Sequence, residues 1–204
     1  MSPPPAGAGV NMENSMPTCV VGIGGSAGAL NAYKSLLDHL PDDTGMAFVI
    51  ISHMNPEAYS HLALILARHT HMPVLVASAA MPIRANYVYV IPANADLEVD
   101  THQFKVTSPR SRRNTQIDIF FASIARAFGV RAIGVVVSGY DNDGTVGCQH
   151  IKDKGGITFA QDESAEIGSM PVRAQASGFV DFVLPPDDIA AALSEIGTRF
   201  ARSV

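Results

Sequence analysis

Residues 20–30 read VVGIGGSAGAL, and this stretch decides the fold. It is a continuous apolar run that ends in a glycine-rich turn with one serine, Ser26, at its centre. Beyond the turn, Leu30, Tyr33 and further leucines recur every three or four residues until Pro41, a spacing that predicts a helix. A buried strand that runs through a tight turn into a helix is the opening unit of a parallel α/β sheet.

The turn is compatible with two kinds of chemistry. Gly22, Gly24 and Ala27 fit the loose form of the dinucleotide-binding fingerprint, in which a helix N-terminus holds a phosphate. The same geometry exposes Ser26 as a nucleophile, beside backbone N–H groups that can receive an oxyanion. The turn by itself leaves both interpretations open.

Strands and helices alternate along the rest of the chain. Strands that are apolar throughout, and so buried on both faces, are predicted at 47–51 and 132–137, with shorter strands at 74–76, 87–91, 157–160 and 179–184. Helices are predicted from 57 to about 70, between 115 and 129, at 145–154 and after Pro185, and a polar loop is predicted up to Pro171. Two alternating segments, 97–99 and 104–106, suit a small antiparallel hairpin at one end of the sheet. The prediction is a doubly wound, mostly parallel sheet with helices on both faces.

Composition narrows the class of protein. The 204 residues are 47% apolar and 16% charged, which predicts one packed domain over 18–204 after a proline-rich flexible tail or linker at 1–17. A formal charge of −5 speaks against general nucleic-acid binding. No run reaches the roughly 18 apolar residues of a membrane span. The start of the chain also lacks signal-peptide features, so a cytoplasmic protein without membrane insertion is expected.

Polar residues follow the three most apolar strands, at the edge of the sheet where parallel α/β folds bind ligands. These residues are Ser26, His53 and the acidic loop that contains Asp143. A serine hydroxyl becomes a nucleophile when a neighbouring base takes its proton and a carboxylate orients that base. Each residue alone is explained more simply as a helix cap or surface group, but their joint placement favours a hydrolase. A nucleotide fold would need an acid where His53 stands, and Asp42 and Asp43 lie before that strand.

Two other groups of residues receive smaller roles. His61, His69 and His71 lack the HExxH spacing and do not share one helical face, so no metal ion and no cofactor are expected. Arginines 110, 112 and 113 form the one basic cluster and read either as an exposed loop or as a contact for an acidic partner.

Three motifs, GIGGSAG at 22–28, SHM at 52–54 and SGYDNDG at 138–144, occur together and in this order. With them the chain resembles the catalytic domain of chemotaxis protein-glutamate methylesterases, the CheB family. The segments LPDDTGMAF at 40–48 and VYVIP at 88–92 are especially similar to the methylesterase domains of hybrid proteins that also carry a methyltransferase. The resemblance covers about residues 18–184.

The resemblance implies a role for each matching residue. Ser26 would be the nucleophile, His53 the general base and then acid, and Asp143 the residue that orients His53. The backbone N–H of Tyr140 would bind the oxyanion, with three further residues shaping the site: Gly25, Ala27 and Asp141. The implied substrates are methylated glutamates on the cytoplasmic helices of chemoreceptors, and related members also deamidate glutamine. Arg110, Arg112 and Arg113 are candidate substrate contacts.

Four positions depart from the pattern of the family. The family usually has alanine at position 25, glycine at 29, methionine or threonine at 140, and glycine at 141, where this chain has Gly25, Ala29, Tyr140 and Asp141. Asp141 adds a second carboxylate near the oxyanion region, where negative charge opposes the transition state, and it restricts the loop if a positive φ is required.

The regulation of family members leads to alternative interpretations. Typical members carry a receiver domain before the catalytic domain, and the residues before Thr18 are too few to form one. We therefore expect a stand-alone esterase, a fragment of a hybrid protein, or a domain controlled by a regulatory or methyltransferase partner. A catalytically weak docking module and a small-molecule carboxylesterase are the alternative functions.

Overall fold

A computed structural model describes residues 16–53 and 59–202. The predicted tail at 1–17 therefore lies almost wholly outside the described residues, as does the predicted start of a helix at residue 57. The strands in chain order are β1 Val20–Gly25, β2 Ala47–Ser52, β3 Val74–Val76, β4 Tyr87–Val90, β5 Asp96–Asp100, β6 Gln103–Thr107, β7 Ala132–Val136, β8 Ile157–Gln161 and β9 Phe182–Leu184. The helices are α1 Ala29–His39, α2 Tyr59–Leu66, α3 Gln116–Phe128, α4 Thr145–Asp153, α5 Ser169–Ala176 and α6 Pro186–Ala201.

The main sheet has seven parallel strands in the order β3-β4-β2-β1-β7-β8-β9, and β1 lies at its centre. Strands β1, β2 and β7 are buried along their whole length, because helices cover both faces. One face packs on α1, α2 and α6, and the other packs on α3, α4 and α5. The predicted doubly wound, mostly parallel sheet is confirmed, and the carboxyl ends of β1, β2 and β7 meet at one edge.

The antiparallel hairpin is also confirmed, as a separate sheet made of β5 and β6. Leu97, Val99 and Phe104 bury its apolar side in the core layer that contains α3. The hairpin therefore holds α3 from the side that the main sheet leaves uncovered.

The glycines of β1 allow α3 to approach the sheet closely. A Cβ at Gly22 would lie 2.7 Å from the Phe121 ring, and a Cβ at Gly24 would lie 2.4 Å from Ile117. Neither distance is compatible with any larger side chain. Two glycines that resembled a nucleotide fingerprint are thus required for packing between a strand and a helix.

Three elements differ from the sequence-based prediction by more than one residue at an end. Helix α5 occupies part of the segment predicted as a polar loop, because Pro171 lies in its first turn, where proline's missing N–H costs nothing. Helix α2 ends at Leu66 instead of about residue 70, since His69 N–H bonds the Leu66 carbonyl in a tighter turn. Strand β9 begins at Phe182 instead of residue 179. Within the described part of the chain, no helix has the length and apolar character to cross a membrane.

Candidate active site

Ser26 stands in the turn between β1 and α1, directly after the last residue of the central strand. Its backbone N–H donates to the Ser138 carbonyl at 2.9 Å, which ties the turn to the loop after β7. Gly28 has a φ of 73°, and a Cβ there would lie 2.7 Å from Ser138 Oγ. The turn is therefore held in one conformation with Ser26 half-buried at the mouth of a pocket. That pocket has a volume of about 330 Å³ and is lined by Ser26, Ala27, Gly28, Leu30, Tyr33, Ser52, His53 and Leu62.

Gly25 and Ala29 occupy complementary positions beneath the turn. A Cβ at Gly25 would lie 2.7 Å from the Ala29 Cβ and 2.6 Å from Tyr33 Oη. The Ala29 methyl group thus fills space that an alanine at position 25 would need. The two departures from the family pattern at these positions compensate each other in space.

His53 follows β2 at the same edge of the sheet, and its backbone N–H reaches the Gly25 carbonyl at 3.4 Å. Its side chain is only 5% exposed. Nε2 lies 2.6 Å from Asp143 Oδ2, and Nδ1 lies 3.1 Å from Asp141 Oδ2. Because ionised carboxylates only accept hydrogen bonds, both ring nitrogens donate and the imidazole is held as a cation between two carboxylates. Among the described residues, the Ser26 hydroxyl makes no hydrogen bond to either nitrogen.

The charges around His53 shift its proton equilibrium. Burial would lower the pKa of His53, but the hydrogen bonds and negative charges of Asp141 and Asp143 outweigh burial and raise it to about 9. For the carboxyl group of Asp141, burial acts in the opposite direction and raises the pKa. The hydrogen bonds that Asp141 accepts from His53 and from the Asp143 N–H, together with the charge of Arg173, outweigh burial and lower the pKa below its ordinary value. At neutral pH the site therefore holds an imidazolium cation.

Asp143 is fixed by the N-terminus of α3. Its carboxylate accepts from the backbone N–H groups of Ile117 at 2.9 Å and Asp118 at 2.8 Å, and also from Gly144 N–H. The positive end of the α3 dipole stabilises negative charge at this position. The side chain is fully buried, so Asp143 has little freedom to turn away from His53.

Asp118 makes the reciprocal contact, which sequence reasoning missed. Its Oδ1 accepts from the N–H groups of Gly144 at 2.9 Å and Gly147 at 2.7 Å, at the start of α4. Burial and the nearby Asp143 charge outweigh these bonds and raise the pKa of Asp118 to about 6. The only available signal in the sequence was an acidic residue in the first turn of α3.

Tyr140 and Asp141 belong to the loop after β7 and form the rim of the site. Tyr140 is 64% exposed, and its carbonyl accepts a bond from Arg173 at 3.3 Å. Among the described residues, no acceptor takes the backbone N–H of Tyr140 or of Ala27. Asp141 does not have a positive φ, so the loop carries none of the backbone strain that a non-glycine residue could have introduced.

The arginine cluster lies on the loop that leads directly into α3. Arg112 and Arg113 are exposed, Arg110 is half-buried, and none of the three forms an ion pair with a described residue. The buried carboxylate of Asp96 fixes this loop by accepting from Ser111 N–H at 2.7 Å and from Gln116 Nε2 at 2.9 Å. The loop is therefore an ordered basic surface beside the helix end that binds Asp143.

His69, one of the three histidines without metal-ligand spacing, lies away from this site. His69 Nδ1 contacts Asp38 at 2.9 Å, near the C-terminal end of α1 and so at the opposite edge of the sheet from Ser26. Within residues 16–53 and 59–202, no group of histidine, cysteine and acidic side chains has the geometry to hold a metal ion.

A solved structure has the same architecture. The catalytic domain of the CheB methylesterase of Thermotoga maritima superposes with a TM-score of 0.81 at 25% identity, covering 87% of this chain and 98% of that domain. The fold and the site therefore define a hydrolase domain. The CheB methylesterase family model matches residues 21–193, and the chain belongs to the CheB methylesterase family.

Relatives of several lengths are similar in sequence to this chain. A relative from Leptospira interrogans, provisionally named a protein-glutamate methylesterase/protein-glutamine glutaminase, is 32% identical over 82% of this chain and 89% of its own length. A protein-glutamate methylesterase/protein-glutamine glutaminase of Moorella thermoacetica is 32% identical over 88% of this chain, which spans 44% of that protein. An uncharacterized 104.1 kDa protein of Rhodobacter capsulatus is 39% identical over 60% of this chain and 13% of its own length.

Proposed function

We propose that the chain is a protein-glutamate methylesterase that removes methyl esters from glutamyl side chains of chemoreceptors and deamidates glutamine side chains at the same site. The observation that carries this proposal is the pocket shared by Ser26 and His53, with Asp143 bound to His53 Nε2 at 2.6 Å. The names of the relatives support the substrate class. The targets are the methylated cytoplasmic helices of receptors, so the enzyme works in the cytoplasm, with a regulatory or methyltransferase partner.

Ser26 is the proposed nucleophile. Because Asp143 binds Nε2, Nδ1 is the nitrogen that takes the Ser26 proton while Oγ attacks the ester carbonyl. His53 then returns the proton to the leaving oxygen, methanol departs, and the glutamyl group remains as an ester on Ser26. Water attacks this ester with His53 again as base, which frees a glutamate side chain and restores Ser26. With glutamine as substrate, ammonia is the leaving group.

The oxyanion of each tetrahedral intermediate needs donors that are not already used. The N–H groups of Tyr140 and Ala27 are the proposed donors, since both are free of acceptors among the described residues and both border the Ser26 turn. Removal of one such donor commonly lowers kcat by about 100- to 1,000-fold. Asp143 keeps His53 oriented through both steps.

Release of methanol from methylated receptor tests this proposal. The wild-type protein should release methanol and lower receptor methylation, and Ser26→Ala should abolish both while keeping the fold measured by circular dichroism. The matched control is Ser194→Ala on α6, which should leave the rate unchanged. Turnover that persists in Ser26→Ala would exclude Ser26 as the nucleophile.

One observation favours a second candidate, a docking module with weak or no hydrolysis. Both ring nitrogens of His53 are bound by carboxylates, an arrangement that leaves no nitrogen for Ser26. A serine-directed fluorophosphonate separates the two candidates, because only the hydrolase is labelled at Ser26. A panel of simple methyl esters separates the receptor enzyme from a small-molecule esterase.

A further inference from the structure

The two carboxylates that bind His53 are held very differently. Asp143 is completely buried and accepts three backbone N–H bonds besides the one from His53. The side chain of Asp141 is 21% exposed, and apart from His53 its one hydrogen-bond partner among the described residues is the Asp143 N–H, at 3.1 Å from Oδ1. Its bond to His53 is also the longer one, 3.1 Å against 2.6 Å. Asp143 is therefore a fixed support, whereas Asp141 can move toward solvent.

We infer that Asp141 is a positioning residue that occupies His53 Nδ1 in the resting protein, so that Ser26 gains its base only after the Asp141 side chain has moved away. This inference rests on the proposed roles of Ser26 and His53. It deepens them, because it assigns control of the general base His53 to Asp141, a residue to which the family resemblance gives no such role.

The groups around His53 define what a displaced Asp141 would encounter. Asp143 and the more distant Asp118 stay at the α3 side, and Glu166 lies against Gly28 on the side of the Ser26 turn. Tyr33 of α1 lines the pocket, and Arg173 of α5 donates to the Tyr140 carbonyl. The positive charge of Arg173 also acts on Asp141 and lowers its pKa.

The contact with Asp141 has a direct consequence for proton transfer. With the pKa of His53 raised to about 9, only about 1% of molecules at pH 7 carry the neutral imidazole that a general base requires. Asp141→Asn removes the negative charge but keeps an oxygen for the Asp143 N–H. This variant should therefore increase the neutral fraction of His53 and weaken the bond that competes with Ser26.

Two measurements on the full chain test the inference. The pKa of the His53 ring, followed by NMR, should fall by at least one unit in Asp141→Asn and in Asp141→Gly. The rate of fluorophosphonate labelling at Ser26 should rise about tenfold at pH 7, and the acid limb of its pH profile should move to lower pH by the same shift. Asp153→Asn removes an equal charge from the exposed end of α4 and should change neither measurement.

The outcomes separate this inference from the proposed function. A His53 pKa that stays within 0.3 unit of wild type in both folded variants, with no gain in labelling, overturns the role of Asp141. A fall in the His53 pKa with no labelling of Ser26 in any variant shows that Asp141 binds His53, while the proposed nucleophile fails. Having both Asn and Gly variants keeps the test valid if one of them does not fold.

Discussion

At the scale of single residues, this site depends on pairs of side chains that match each other. Gly25 matches Ala29, because the Ala29 methyl group occupies the space that a Cβ at position 25 would need. His53 matches Asp141, because the buried imidazolium has a carboxylate on each nitrogen. The residues of each pair depend on each other, so a substitution at one position should change the effect of a substitution at the other.

The first prediction concerns Gly25→Ala. The new methyl group would meet Ala29, Tyr33 and Val137 at 2.6–2.7 Å, so unfolding free energy should fall by about 1–3 kcal/mol. Adding Ala29→Gly should restore part of the loss, and urea unfolding of the double-mutant cycle measures that coupling. Gly168→Ala is the matched control, since nothing lies within 4 Å of its Cβ position. Additive effects of the two substitutions would contradict the compensation.

The second prediction concerns pH and stability. The pKa of His53 is raised in the folded state from 6.5 to about 9, so its stabilising contribution is complete below pH 6.5 and is lost as pH rises through 9. Unfolding free energy should therefore fall by as much as about 3 kcal/mol between pH 6.5 and 9.5. Urea titrations at several pH values measure this slope. His53→Gln should flatten it, and an equal slope in that variant would assign the effect to other groups.

At the scale of elements, α3 and α4 are joined by two reciprocal contacts, in each of which a carboxylate from one segment caps the N-terminus of the other helix. Asp143, just before α4, binds the N-terminus of α3, and Asp118 of α3 binds the N-terminus of α4. These contacts satisfy backbone N–H groups that helix starts leave without partners. They also fix the carboxylate that contacts His53, so helix packing and site geometry share the same bonds.

The third prediction follows from these contacts. Asp118→Ala removes the acceptor for two N–H groups and should lower unfolding free energy by about 1–3 kcal/mol. Asp118→Asn keeps an oxygen acceptor and removes a buried charge, so it should cost less than about 1 kcal/mol at pH 7. Chemical denaturation of both variants tests the difference. Equal losses in the two would mean that the charge, and not the acceptor, matters.

At the scale of the whole molecule, charge is distributed unevenly. The chain carries a formal charge of −5, yet the loop before α3 presents Arg110, Arg112 and Arg113 without ion-pair partners among the described residues. The buried carboxylate of Asp96 fixes this loop by accepting a hydrogen bond from the Ser111 N–H. An ordered basic surface beside an otherwise acidic protein favours an acidic segment in the substrate.

The fourth prediction tests that surface. The double variant Arg112→Gln/Arg113→Gln should raise KM for methylated receptor several-fold, leave kcat nearly unchanged, and reduce the dependence of KM on salt. Arg68→Gln, at the opposite edge of the sheet, is the control with the same loss of charge. A lowered kcat with an unchanged KM would show that the arginines act on the chemistry instead of on binding.

Most of the fold and the meeting of Ser26, His53 and Asp143 could be predicted from the sequence, because both depend on local patterns. Apolar runs predicted the buried strands, and the carboxyl ends of those strands predicted the meeting of Ser26, His53 and the acidic loop. Helix α5 was not predicted because Pro171 is a residue that usually interrupts helices. In the structure Pro171 lies in the first turn, where a proline is tolerated. The contacts of Asp118 and the contact of Asp141 with Nδ1 depend on packing between distant segments, which no local pattern contains.

The cap that Asp143 forms on α3 also governs when the site can exist. During synthesis at about 5–20 residues per second, the ribosome adds Ser26 roughly ten seconds before Asp143. Until Asp143 reaches the start of α3, His53 lacks its fixed partner at Nε2. The contacts around His53 therefore form only after the segment that contains Asp143 has been made and has folded against α3.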